Sequence, residues 1–186
     1  MRIRLTLLLL IAAVCLVSCA SPNQKLTLDE VHARFDEGFA HFETTAEIFS
    51  AIPEFREYLR DGLHPEYIYT SFKGMAHDDE VFLGFVSADE LERAESSCRS
   101  LAPESVAYTA LNMWDSSGFI REVEAIEFIF RLHGGNDRWV STCSVFYVSS
   151  DADREFIAEN PYRFYGGTTL RLNALDKEGW YIFVSE

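Results

Sequence analysis

The sequence predicts an α+β domain in which N-terminal helices pack on one face of a mostly antiparallel, curved sheet. Three observations predict it. Apolar residues recur at helical spacing between residues 28 and 49, a period of two dominates after residue 66, and polar turns separate the alternating segments. Helices first and hairpin-connected strands afterwards are typical of this class.

The first helix is predicted to begin at a capping box, in which Thr27 caps the backbone and Glu30 reaches back to it. Pro53 would open a second short helix that ends at Gly62. The apolar positions after Thr27 predict one helix of about six turns with a Phe-rich core face, a coiled-coil partner being the minor alternative: Leu28, Val31, Phe35, Phe39, Phe42, Ala46 and Phe49.

Downstream, Ser87 and Glu90 form another capping box, which predicts a helix ending near Leu101. The stretch 119–132 alternates in its second half and is interpreted there as a strand, whereas 121–125 suits a helix equally well. Residues 151–159 predict a helical turn. Strands are predicted at 67–75, 81–86, 106–114, 138–148, 168–175 and 180–184.

This order of elements is similar to that of nuclear-transport-factor-2-like (NTF2-like) and cystatin-like folds, in which a curved sheet wraps a long N-terminal helix. The similarity concerns the order of elements only. Because one fold serves many activities, it implies no function.

The N-terminus has the pattern of an export signal. Arg2 and Arg4 precede a run of about twelve mostly apolar residues, too short for a membrane span of about 20 residues. The run ends in Leu16-Val17-Ser18-Cys19, which resembles the lipobox of bacterial lipoproteins. A plain secretory signal with a chance cysteine, or a short uncleaved anchor, is the alternative.

The resemblance implies cleavage before Cys19, a diacylglyceryl group on its sulfur and an acyl group, such as palmitate, on its amino terminus. Residues 1–18 would then be the signal peptide, 19–26 a short acylated tether and 27–186 a single globular domain. Ala20 after the cysteine implies, in a Gram-negative bacterium, the periplasmic face of the outer membrane. In a Gram-positive bacterium the same signal would leave the domain outside the cytoplasmic membrane.

Charge excludes one class of partner. Removing Arg2 and Arg4 with the signal takes the formal charge from −14 to −16, so the domain would repel nucleic acid phosphates. Cys98 and Cys143 would face an oxidising compartment. A disulfide between them would close a loop of about 45 residues and stabilise the fold by a few kcal/mol. Two buried thiols that never meet are the equal alternative.

No metal or cofactor site is expected. His32 and His41 are nine residues apart on the first helix and so point in opposite directions. Asp151, Asp153 and Glu155 imitate the start of a calcium loop, but the glycine and final glutamate of that loop are missing. Helix capping explains these acids better. His77 lies beside acids at a predicted turn, where a solvated turn is favoured over a cation site.

Two groups remain as candidates. On a concave strand, Glu127 and Arg131 would share a face and could act as acid and base in a pocket, although a structural ion pair is favoured. Tyr162, Phe164 and Tyr165 could form a binding lip, although loop anchoring is favoured.

The sequence therefore favours a lipid-anchored envelope protein whose non-catalytic domain binds a protein partner or small ligand. An envelope enzyme with a carboxylate in a pocket on the concave sheet face is the alternative.

Overall fold

A computed structural model of the chain describes residues 25–52, 55–60, 68–72, 86–114, 117–118, 120–133, 142–165 and 168–185. In these ranges there are four helices: α1 (Leu28–Glu37), α2 (Phe39–Ser50), α3 (Ala88–Leu101) and α4 (Asp151–Glu159). None of the helices in these ranges is both long and apolar enough to cross a membrane. The predicted signal peptide and Cys19 lie outside the described residues.

The strands of the described residues form one antiparallel sheet. They are β1 (Phe55–Arg60), β2 (Ile68–Phe72), β3 (Ser105–Trp114), β4 (Ile120–Arg131), β5 (Thr142–Tyr147), β6 (Tyr162–Tyr165), β7 (Thr168–Arg171), β8 (Asn173–Ala174) and β9 (Trp180–Ser185). Seven follow the order β2-β1-β3-β4-β5-β9-β8. The sheet is curved and nearly closed, and helices pack on it. The predicted α+β class, with N-terminal helices on an antiparallel curved sheet, is confirmed.

The sheet nearly closes because β3 has two partners on one edge. Its first residues pair with β1, and its last two, Met113 and Trp114, pair with β6, which pairs in turn with β7. Only Leu172 separates β7 from β8, and β8 pairs with β9 at the other end of the order. The chain therefore returns from one end of the curved sheet to the other, and one face of the sheet is enclosed.

The single long helix predicted after Thr27 is wrong, because the helix is divided at Gly38. The capping box of Thr27 and Glu30 is present as predicted, and Gly38 ends α1 and precedes α2. A Cβ at position 38 would lie 2.8 Å from the carbonyl oxygen of Arg34 and 3.0 Å from Cδ2 of Leu101. A side chain at this position would therefore clash with the last turn of α1 and crowd Leu101 of α3.

The short helix predicted after Pro53 is also wrong. Residues Phe55–Arg60 are strand β1, which pairs with both β2 and β3. Tertiary pairing here overrides a local helix-start signal. Pro53 and Gly62 themselves lie outside the described residues, as do residues 81–85 of the predicted strand 81–86 and the predicted turn that contains His77.

Several other predictions are confirmed. The capping box of Ser87 and Glu90 begins α3, which ends at Leu101. Residues 121–125, for which the sequence allowed either a helix or a strand, form a strand, since β4 runs unbroken from Ile120 to Arg131. The helical turn at 151–159 is α4. The predicted strand 168–175 is instead divided at Leu172 into β7 and β8, which have different partners.

The N-terminal helices cover the other face of the sheet, where the largest core lies. Even-numbered residues of β4 point to this face, and Ile126, Phe128 and Phe130 are buried there. The Phe stripe faces them, with the Phe42 and Phe128 ring centroids 4.9 Å apart. The predicted core role of the stripe is confirmed from Val31 to Phe49, with Phe39 partly buried, whereas Leu28 at its start is 39% exposed.

A second core occupies the enclosed face. Side chains from β3, β4, β5 and β9 meet there and pack with Ile157 of α4. Its buried members on those strands are Leu111, Met113, Val123, Ala125, Phe146, Tyr181 and Phe183. Strands that are not neighbours in the sheet thus converge on one interior, and the second core fills it.

Candidate functional site

Strand alternation places Glu127 on the enclosed face. It is an odd-numbered residue of β4, like Val123 and Ala125, which are buried in the second core. Its cross-strand partner on β5 is Phe146, also in that core. Glu127 is half-buried, and the hydroxyl of Ser144 donates a hydrogen bond to its carboxylate. A carboxylate therefore stands at the border of an apolar interior.

Arg163 supplies the positive charge on the same face. It belongs to β6 and pairs with Met113, so it shares the enclosed side of the sheet. Its guanidinium carbon lies 5.4 Å from the ring centroid of Phe146 and 5.8 Å from that of Phe183. These rings belong to β5 and β9, neither of which is paired with β6. The buried guanidinium therefore reaches across the interior and stacks on aromatic faces, a favourable cation–π arrangement.

Three effects act on the pKa of Glu127, and burial is the largest. Loss of water around the carboxylate raises the pKa, while the Ser144 hydrogen bond and the Arg163 charge lower it. The net direction is upward. A carboxyl group with a raised pKa beside an arginine is suited to holding or exchanging a proton in a site shielded from water.

Arg131, the predicted acid–base partner of Glu127, lies elsewhere. It forms an ion pair with Glu104, to which its Nε donates at 2.9 Å. The two side chains are 49% and 37% exposed to solvent, so the pair contributes at most about 1 kcal/mol. The favoured reading of Arg131 as one half of a structural ion pair is therefore correct in kind, but the partner is Glu104 and not Glu127.

No family model, curated protein or solved structure matches this chain. The candidate site is therefore argued from its own geometry.

The two cysteines of the domain are buried thiols in the largest core, and no disulfide joins them in this structure. Cys98 lies on α3 and Cys143 on β5. Burial raises the pKa of the Cys143 thiol to about 12. Because the thiolate is the reactive form, Cys143 is expected to be inert at neutral pH. Of the two alternatives left open by the sequence, the structure has the separate thiols.

Two of the three acids that imitate a calcium loop, Asp151 and Asp153, form ion pairs around α4. Ser150 caps the helix, accepting a hydrogen bond from the backbone N–H of Asp153 at 3.3 Å. Asp151 pairs with Arg154, and Asp153 pairs with Arg121. On α2, Nδ1 of His41 lies 3.2 Å from Oγ of Ser97. Within the described ranges no three metal-binding side chains come together. His64 and His77 lie outside those ranges.

The predicted aromatic lip is a strand and not a loop. Tyr162, Phe164 and Tyr165 belong to β6, where Tyr162 pairs with Trp114 and with Arg171. Tyr162 is 47% exposed. The residue of this segment that belongs to the candidate site is Arg163, between the aromatics, which the sequence analysis did not single out. A charged residue inside an alternating aromatic run was the signal that could have found it.

Replacing Glu127 with Gln is expected to change how stability depends on pH. Because the folded-state pKa of Glu127 is raised, the folded protein holds a proton that the unfolded chain releases above its ordinary pKa of 4.5. Stability is therefore lost as pH rises from 4.5 through the folded-state value. Gln cannot ionise, so the melting temperature of the variant relative to the wild type should rise between pH 4 and pH 8.

Glu124→Gln is the matched control, because Glu124 is exposed on the same strand. It should leave the pH profile close to that of the wild type. A Glu127→Gln variant that loses more stability at pH 8 than at pH 4 would mean that attraction to Arg163 outweighs the burial cost.

Proposed function

We propose that this protein is a lipid-anchored lipoprotein of the bacterial cell envelope, with a membrane-proximal, non-catalytic domain that binds a protein partner or a small ligand. The observation that carries the proposal is the N-terminal pattern: two arginines, a short apolar run and Leu16-Val17-Ser18-Cys19. Charge, apolar length and small-residue context agree around one cysteine. Ala20 favours the periplasmic face of the outer membrane.

The free energy of burying the acyl chains in the membrane supports stable attachment. Each buried CH₂ contributes about 0.8 kcal/mol, so one acyl chain binds a membrane only marginally, whereas two or three chains hold it. In the lipoproteins that this signal resembles, the lipobox cysteine carries that many chains.

The start of the fold supports a position close to the membrane. Leu26 is buried and lies in a parallel bridge with Leu132 at the end of β4. Its N–H donates to the carbonyl of Arg131 at 2.9 Å, and its carbonyl accepts from the N–H of His133 at 2.7 Å. Seven residue steps lead from Cys19 to Leu26, a span of at most about 25 Å. The edge of the domain that holds Leu26 would thus lie near the lipid.

A binding role is supported by how the charged side chains of the described domain are used. Arg131 is engaged with Glu104, Asp153 of α4 with Arg121, and Asp151 of α4 with Arg154. These pairs are structural, and they leave Glu127 without the acid–base partner that the catalytic reading assigned to it.

The enzyme alternative retains one favourable observation, the raised pKa of Glu127 beside Ser144 and Arg163. It would use Glu127 as a proton donor or acceptor on the enclosed face. A panel of ester, peptide and glycoside substrates tests it: turnover by the wild type that Glu127→Gln abolishes would support an enzyme and contradict the non-catalytic proposal.

Cys19→Ser tests the anchor. In a bacterial host, the wild type is expected to incorporate radiolabelled palmitate and to sediment with membranes, whereas Cys19→Ser should lose both properties because serine has no sulfur to acylate. Cys15→Ser is the matched control. Cys15 lies four residues earlier, in the apolar run, so this variant should still be acylated at Cys19. A Cys19→Ser variant that remains labelled and membrane-bound would overturn the lipoprotein assignment.

The binding role is tested by affinity purification of the acylated protein from solubilised membranes. Stoichiometric recovery of one envelope protein, or a ligand that raises the melting temperature, is expected. Failure of both would count against it.

A further inference from the structure

A second site lies on the opposite side of the sheet from Glu127, at the rim of the largest core. It is a cleft of about 230 Å³ between α2 and the β8–β9 hairpin. Phe39, Glu43 and Glu47 line it from α2, where a spacing of four residues places them along one helix face. The hairpin and the end of β5 form the other wall. The cleft is thus built on regular elements and not on loops alone.

Its floor is aromatic. The ring centroids of Phe39 and Trp180 are 5.8 Å apart with planes at 73°, and those of Tyr147 and Trp180 are 4.9 Å apart at 38°. Trp180 is buried and held by further rings, so the floor is rigid. Aromatic ring faces carry partial negative charge, so an aromatic floor attracts a cation placed over an accessible face.

One ammonium group already occupies this environment. Nζ of Lys177, on the hairpin, lies 5.0 Å from the centroid of the Phe39 ring, within the range of a cation–π interaction. Lys177 is exposed, so its flexible side chain can leave the ring for water at little cost. The structure therefore shows a cation on this ring, held by a residue that can be displaced.

The rim is acidic. Glu43, Glu47 and Glu178 line the cleft with Lys177. The carboxylate of Glu178 lies 3.4 Å from the guanidinium of Arg154, which partly neutralises the negative charge of Glu178. Glu43 and Glu47, both exposed, therefore supply the carboxylates of the helix side. Such a rim attracts a cation and repels phosphate.

Size and chemistry together select the ligand class. The volume is below the roughly 300 Å³ at which pockets for drug-sized molecules begin, so the ligand is small. Hard metal cations require six or more oxygen ligands, which an aromatic floor does not supply. A weakly hydrated organic cation can use ring faces and carboxylates at once.

We propose that this cleft binds a small organic cation with an alkylated ammonium group, which displaces Lys177 from Phe39 and lies between the aromatic floor and the carboxylates of Glu43 and Glu47. The site is independent of the lipid anchor and of Glu127. It adds a ligand class that the anchor and the enclosed face do not specify.

Isothermal titration of the full-length protein in detergent tests the proposal, with choline as the probe. Choline should bind saturably and about tenfold more tightly than 3,3-dimethyl-1-butanol, its uncharged analogue of the same shape, because only choline gains the cation–π interaction. Phosphocholine should bind more weakly than choline, since its phosphate meets the acidic rim. For the unacylated Cys19→Ser variant in buffer without detergent, vesicles of phosphatidylcholine should bind no better than vesicles of phosphatidylglycerol, because the cleft takes the free cation.

Variants at exposed positions separate binding from folding. Glu47→Gln should weaken choline about threefold, and Lys177→Gln should strengthen it about threefold because the competing ammonium is gone. Glu92→Gln removes the same charge from an exposed position on α3 and should leave affinity unchanged. Phe39→Leu changes a half-buried position, so its melting temperature is measured alongside; it should weaken binding about tenfold.

Equal binding of choline and its uncharged analogue would overturn the proposal. So would the lack of saturation up to about 10 mM choline, or equal effects of Glu47→Gln and Glu92→Gln. Binding of phosphatidylcholine vesicles without binding of choline would assign the face to a lipid and would also contradict it.

Discussion

Phe42→Ala is expected to cost about 3–5 kcal/mol of the free energy of unfolding. The Phe42 side chain is fully buried, and its ring centroid lies 5.2 Å from that of Phe35, 4.9 Å from that of Phe128 and 5.8 Å from that of Trp180. Removing the ring leaves a cavity at the contact between α2 and the sheet, which the surrounding rings cannot fill. Urea denaturation followed by circular dichroism measures the loss.

A loss of this size is a large part of the roughly 5–15 kcal/mol by which most domains are stable, so Phe42→Leu serves as a milder variant. It should show a smaller loss in the same direction. Leu28→Ala is the control from the same stripe: Leu28 is 39% exposed and should change stability by no more than about 0.5 kcal/mol. Equal effects of Phe42→Ala and Leu28→Ala would contradict the packing of α2 described here.

Gly179→Ala is expected to cost about 2–3 kcal/mol, from two causes. Gly179 has φ +79°, in the left-handed region that a residue with a side chain rarely adopts. A Cβ there would also lie 2.9 Å from the carbonyl oxygen of Val148, a backbone atom that cannot rotate away. Gly179 accepts the hydrogen bond of the Val148 N–H at 2.9 Å, so the two backbones are held together where β5 and β9 begin to pair.

Gly118→Ala separates these causes. Gly118 has nearly the same φ, +82°, but its added Cβ would meet only Cζ3 of Trp114, at an ordinary 3.5 Å. It should cost about 1 kcal/mol, the backbone contribution alone. Denaturation of both variants against the wild type gives the difference. Equal losses would show that the contact with Val148 costs nothing.

The Phe stripe shows what the local spacing of apolar residues predicts about the first two helices and what it does not. The intervals of three and four residues predicted a helical face in the core, and Val31, Phe35 and Phe42 are buried there. The same intervals predicted one continuous helix, because the stripe crosses Gly38 without a change of period. A side chain at Gly38 would meet the carbonyl oxygen of Arg34 in the preceding turn and Leu101 of α3, more than sixty residues away, and the spacing of the apolar residues indicates neither contact.

At the candidate site, too, local sequence predicted the position of one residue but not its partner. The alternation of β4 placed Glu127 on one side of a strand, and the structure agrees. The partner of Glu127 could not be predicted in this way. Arg131 shares its strand face, but pairs with Glu104 at the surface. Arg163 reaches it only because β6 pairs with the end of β3 and brings the guanidinium across the enclosed face.

By itself the sequence determined the fold class, the starts of α1 and α3 at their capping boxes, and the strand character of most of the C-terminal half. These features depend on hydrogen bonds and side-chain periods among residues that are close together in the sequence, so the local sequence predicts them. Only the tertiary structure decided the break at Gly38, the strand after Pro53, the separate thiols of Cys98 and Cys143, and the charges around Glu127. Each of these depends on which distant segments pack together, and a curved, nearly closed sheet makes those pairings non-local.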